Sequence, residues 1–160
     1  MKPDAMMKLV TFRLGREVFA ADVVSVERVL RYTAPNAVPD VPVWIAGILE
    51  HHTGVMPVVD LRQRVELPDT AITAETRILV FLTSGGPVGA IVDAVLAVMA
   101  VPATAVSAPP PLFRGLSAEF VRGVARVGDR LAVILEVDRV LSSADRIVLD
   151  QAVQETTTRG

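Results

Sequence analysis

The chain contains no cysteine, which removes both a disulfide framework and a thiolate metal site from consideration. Aromatic residues make up only 4% of it, and its 16 basic and 18 acidic residues are interspersed, for a net charge of −2. Nucleic-acid binders display a basic patch with aromatics to stack on bases, so that class of partner is set aside. No apolar run approaches the ~20 uninterrupted residues of a membrane span. The opening MKPDAMMKLV lacks the apolar centre of a secretory signal. The expectation is a cytoplasmic protein without direct membrane insertion.

What the chain does have is aliphatic residues, in short runs. Hydrophobic residues make up 51% of its 160 positions, enough for one compact unit or two small ones sharing a core. KLVTFRL, GREVFAAD, ILVFLT, PVGAIVD, EFVRGVARV and DRLAVILEV all read as strands. Leu14-Gly15-Arg16-Glu17, Ser84-Gly85-Gly86-Pro87 and Gly128-Asp129 supply hairpin connections. Closely spaced strands of this kind favour an all-β barrel or sandwich over a parallel α/β sheet.

The chain also repeats itself. Residues 45–65, IAGILEHHTGVMPVVDLRQRV, align without a gap on 121–141, VRGVARVGDRLAVILEVDRVL. Gly47 falls on Gly123, Ile48 on Val124, Val58 on Ile134 and Asp60 on Glu136. Upstream, residues 10–30 align with 79–99, bringing Phe12 onto Phe81 and Val26 onto Val95. The blocks 10–30/45–65 and 79–99/121–141 are read as two similar small barrels. Three proline-bearing stretches, 32–43, 66–76 and 101–115, are read as loops rather than ladder strands. A C-terminal helix is expected over DRVLSSADRIVLDQAV, with residues 154–160 a frayed tail.

His51 and His52 are the only histidines. Adjacent strand residues point to opposite faces, so the two rings are not expected to share a metal, and no HExxH pattern exists. They are read as hairpin-tip residues, with no metal and no cofactor. Asp60 and Glu136 are either paired carboxylates for acid–base chemistry or structural caps, since an acid before Leu-Arg-Gln-Arg can accept orphan helix N–H groups. Gly47 and Gly123 are read as structural turn positions. No serine sits in GxSxG, because Gly115-Leu-Ser117-Ala-Glu119 breaks the pattern, and Gly85-Gly86 is not followed by Gly-Lys-Ser/Thr. No catalytic residue is assigned.

Taken together, VTFRLGREVFAADVVSVERVL, PDVPVWIAGI, GVMPVVDLR, PVGAIVDAVLAV, the APPP segment, EFVRGVARVGDRLAVILEVDRVL and ADRIVLDQA resemble the CheW-like family of bacterial chemotaxis coupling proteins in order and spacing. The resemblance spans residues 8–153, as a single domain. It implies a mainly β fold of two SH3-like, five-stranded barrels sharing a core. It also implies a non-enzymatic adaptor that binds the regulatory domain of a chemotaxis-type histidine kinase and the cytoplasmic tip of a chemoreceptor, the receptor's helical hairpin lying in a groove between the barrels. By motif, Val26 matches the valine of the family's Val-x-Glu-Ile pattern and becomes a groove wall, against the alternative that it is core. Arg28 stands where that pattern has glutamate. His52 and Thr53 stand where the family usually has Arg-Gly. An acid has become a base and a strong base a weak one. Val26, Arg28, His52 and Thr53 are therefore the receptor-groove candidates. Beside the chemotaxis adaptor stand two alternatives: an adaptor of a pilus-motility or other non-flagellar pathway with an altered receptor, and a small metal-dependent hydrolytic enzyme built around the histidines.

Overall fold

Valine-rich runs separated by tight turns become ten strands: β1 (Met6–Leu14), β2 (Glu17–Asp22), β3 (Val26–Arg31), β4 (Ile45–His51), β5 (Gly54–Asp60), β6 (Arg77–Thr83), β7 (Gly86–Val92), β8 (Ala94–Pro102), β9 (Val121–Val127) and β10 (Arg130–Leu135). A four-residue helix, α1 (Leu61–Arg64), follows β5. The computed structural model describes residues 5–52, 54–64, 71–108 and 120–139. The expected C-terminal helix, apart from Asp138 and Arg139 at its start, lies outside them, as do the frayed tail and Thr53.

The strands form two five-stranded sheets, ordered β8-β1-β2-β10-β9 and β3-β6-β7-β5-β4. Exchanging each strand of β1–β5 with its counterpart in β6–β10 converts one order into the other, so the sequence repeat is also a structural one. The repeat blocks and the sheets do not coincide, however. The first repeat gives β1 and β2 to one sheet and β3–β5 to the other, and the second repeat does the reverse. The chain is thus built like a strand-swapped dimer fused end to end. In each sheet the exchanged hairpin joins its host by one antiparallel pairing, β1 with β8 and β6 with β3, and one parallel pairing, β2 with β10 and β7 with β5.

Each sheet closes into a barrel through the chain that leaves its edge strand. Beyond β3, Asn36 and Ile48 exchange N–H···O bonds of 2.9 Å each; beyond β8, Ser107 and Val124 do the same at 2.8 and 2.9 Å. Closure removes the exposed edges on which sheets aggregate. It also explains the matched glycines. A Cβ on Gly47 would overlap the Asn36 carbonyl, at a φ of +148° that side-chain-bearing residues avoid. A Cβ on Gly123 would stand 2.6 Å from Val106 Cγ1 and 2.8 Å from the Ser107 oxygen. The loop reading of 32–43 and 101–115 is corrected at these points. Asn36 and Ser107 bridge to β4 and β9, and Val101 and Pro102 pair with Met7 and Met6. Proline is tolerated at the end of an edge strand, where its missing donor is not needed.

Strand alternation separates two kinds of interior. Phe19, Ala21, Val59, Val133 and Leu135 enter a core shared between the barrels. Their chain neighbours Ala20 and Ile134 fill one barrel, and Val58 fills the other. Phe12 and Phe81, matched in the repeat and fully buried, touch each other with ring centroids 6.5 Å apart. Two equivalent residues in contact mark the pseudo-two-fold axis. Trp44 and Phe120 precede matched strands and pack on the same core. The Arg64 guanidinium lies over both rings, at 4.1 and 4.4 Å from their centroids.

Candidate functional site

Two clusters of charged side chains stand out, one at a barrel rim and one between the barrels. The rim cluster begins with a bulge. Val26 pairs with Phe81 and Arg28 with Val80, so Glu27 between them has no residue opposite. A bulge re-aims the side chain it frees, and Glu27 reaches from β3 to the end of β4. There its Oε2 lies 2.9 Å from His51 Nε2. The pair is largely buried, with the His51 side chain 6% exposed and that of Glu27 19%. His52 is 58% exposed, with Nε2 3.8 Å from the other Glu27 oxygen.

The expectation that the two histidine rings face opposite ways is corrected. Their centroids are 4.0 Å apart, and both imidazoles turn toward Glu27. Alternation holds only within a strand. β4 ends at His51, paired with Gly54, and His52 belongs to the turn. Arg28, Leu30, Glu50 and Met56 line the same shallow depression as the two rings. Arg28 and His52, the two departures that alter charge, therefore share one surface.

Val26 is partly buried and packs against the shared core, two residues before Arg28 in β3. Asp60 sits at the start of α1, where its Oδ1 accepts the Arg62 backbone N–H at 3.0 Å. Glu136, its match, donates its backbone N–H to the Phe120 oxygen at 2.8 Å, as Asp60 does to Trp44. Among the described residues no bond to the Glu136 side chain is seen that parallels the Asp60 cap. The two carboxylates are not brought together at a common site.

The second cluster centres on Arg62, whose side chain is 6% exposed. Its Nε and Nη2 donate to the two Asp60 oxygens, each at 2.9 Å, and its Nη1 donates to Asp93 Oδ1 at 3.2 Å. Asp93 in turn accepts the Gly15 N–H through Oδ2 at 2.6 Å, and its own backbone N–H donates to the Arg13 oxygen. The hydrogen bonds that Arg62 donates to Asp60, and the charges of both acids, raise the Arg62 pKa, against the opposing effect of burial. The network holds the β1–β2 turn of one barrel onto the end of β5 in the other. Sequence reading missed Glu27, Arg62 and Asp93 as a set. The available signal was the acid ending the apolar run PVGAIVD, since a carboxylate there is buried and needs a cation.

Two closed SH3-like barrels joined through one core, without a membrane-crossing helix among the described residues, define a scaffold of the double-barrel class. The CheW-like domain matches residues 8–145, and the chain belongs to that family of chemotaxis proteins. The chemotaxis protein CheW of Bacillus subtilis is 30% identical over 147 residues, covering 91% of this chain and 94% of its own. Protein FrzA of Myxococcus xanthus is 30% identical over 135 residues, with 83% and 84% covered. The crystal structure of the scaffolding protein TtCheW from Thermoanaerobacter tengcongensis superposes with a TM-score of 0.81 at 26% identity, covering 90% of this chain and 92% of that one.

Proposed function

We propose that this chain is a non-enzymatic adaptor that couples a chemoreceptor to a chemotaxis-type histidine kinase in the cytoplasm. The observation that carries the reading is the double barrel itself, matched over residues 8–145 to a family that includes a named scaffolding protein. An adaptor needs surfaces for two partners. β8 turns Leu96 and Val98 outward, an apolar surface suited to docking. The seam beside Val26, with Arg28 and His52 on the adjoining rim, is the receptor-facing groove, and Thr53 is a candidate by the family pattern alone. Coupling then requires only that receptor contacts differ in free energy between the two signalling states.

A second reading keeps the adaptor and changes its pathway, to pilus motility or another non-flagellar system. Two observations favour it: the charge changes at Arg28 and His52, and a similarity to FrzA equal in identity to that with the Bacillus subtilis protein. Partner charges at the groove must change with those of the adaptor.

Titration calorimetry against the regulatory domain of a kinase from the same genome tests the proposal. Saturable binding at about micromolar affinity or tighter is expected. A folded protein that binds no such domain would contradict the kinase half of the reading.

A further inference from the structure

The Glu27, His51 and His52 cluster has a chemistry that the adaptor reading does not use. We propose that these three side chains bind a divalent transition-metal ion of the zinc class, and that the ion ties the two edge strands of one barrel together. Two imidazole nitrogens and one carboxylate are a donor set that zinc favours. The three donor atoms lie within 4.8 Å of one another. With bonds of about 2.0–2.2 Å, tetrahedral zinc places its ligands roughly 3.3 Å apart. The two imidazoles reach different oxygens of the one carboxylate, His51 Nε2 at 2.9 Å from Oε2 and His52 Nε2 at 3.8 Å from Oε1, distances on either side of that value. Small rotations of the exposed His52 ring complete the fit.

The surrounding charges permit a cation. Arg28 opposes it, Glu50 in the same depression offsets Arg28, and the Glu27 carboxylate remains as the net attraction. The location gives the ion a mechanical role. β3 and β4 are the two edges of their sheet, and among the described residues the backbone bridge across them is the one between Asn36, beyond β3, and Ile48 of β4. Glu27 belongs to β3 and His51 to β4, so an ion held by both closes the same seam a second time, at the rim. At the matched positions of the other barrel stand Leu96, Val127 and Gly128, which offer no ligand. The site is therefore specific to one barrel. It stands independently of the adaptor reading.

The test uses the full chain without a histidine tag, freed of metal by a chelator and titrated with zinc chloride. Binding is followed by calorimetry, and thermal unfolding is measured with and without the ion. The expected result is a single ion per chain and a higher Tm when it is bound, since a ligand of the folded state alone stabilises it. His52→Ala, at an exposed position, should leave the metal-free Tm unchanged and weaken zinc binding by roughly tenfold or more. Glu27→Gln should weaken it in the same direction. Absence of zinc binding, binding that neither variant alters, or binding that leaves Tm unmoved would each overturn the proposal and leave Glu27 and His51 as a hydrogen-bonded pair only.

Discussion

At the rim of one barrel Glu27, His51 and His52 converge around a bulge; at the matched rim of the other the bulge residue is Leu96, and Val127 and Gly128 replace the imidazoles. The seams between the barrels differ in a similar way. Gly15 is held by Asp93, itself paired with the buried Arg62, whereas Ser84, the match of Gly15, donates to the Asp138 carboxylate at 2.8 Å in an exposed bond. What the two halves share is what closes them: the bridges at Asn36 and Ser107, the glycines beneath them, and the aromatic pair on the axis. What they do not share lies at the surface or in one reinforced seam. The two halves share a closing scaffold and differ in the charged groups set on it.

The largest effect is expected at the reinforced seam. Arg62→Ala leaves two acids in a largely buried site without their cation and should cost about 3–5 kcal/mol in urea unfolding. The corresponding cut in the other seam, Asp138→Ala, removes one exposed hydrogen bond and should cost about 1 kcal/mol or less. Equal losses would mean that the seams carry equal weight and that the comparison fails.

Next come the closing glycines. Gly47→Ala sets a methyl against a backbone carbonyl at an unfavourable φ and should cost about 3 kcal/mol, at the upper end of the overpacking range. Gly123→Ala meets the movable Val106 side chain as well as the Ser107 carbonyl and should cost about 1–2 kcal/mol. Thermal unfolding of the two variants reads the order directly, and a reversal would mean that closure at Ser107 is the more rigid of the two.

The partner surfaces are tested by a matched pair. Val26 and Val95 occupy equivalent positions, and both pack partly buried against the shared core. Val26→Glu and Val95→Glu should therefore lower stability by similar amounts, about 1–3 kcal/mol each. Only Val26→Glu should also weaken binding to a receptor-tip fragment, by roughly tenfold, as expected for an interface residue worth more than 1 kcal/mol. Parallel losses in binding would assign both valines to the core and remove Val26 from the groove.

The parts of this architecture that could be read from sequence are those written locally. Alternation and glycine turns placed the hairpins at Gly15, Gly85 and Gly128, and the internal match of 45–65 with 121–141 announced two barrels. The exchange of β1 and β2 between halves was not readable, because a strand's period shows which face is buried and not which strand lies beside it. Glu27 was hidden for a related reason: a single extra residue in β3 turns its side chain off the expected face. Strand logic likewise misplaced His52, because the strand stops one residue earlier. The Arg62–Asp93 pair spans two sheets, and no spacing in the chain records it. The receptor-groove residues came from resemblance. The structure adds that Arg28 and His52 share a depression and that Val26 packs against the shared core.

The most direct test of the adaptor reading is a reconstitution of kinase, receptor-tip fragment and this chain, with kinase autophosphorylation measured as the receptor is switched between its two signalling states. The account predicts that kinase activity follows receptor state only when the chain is present, with no turnover by the chain itself. Kinase activity that follows the receptor equally well without it, or ignores the receptor in its presence while both partners are bound, would contradict the coupling role.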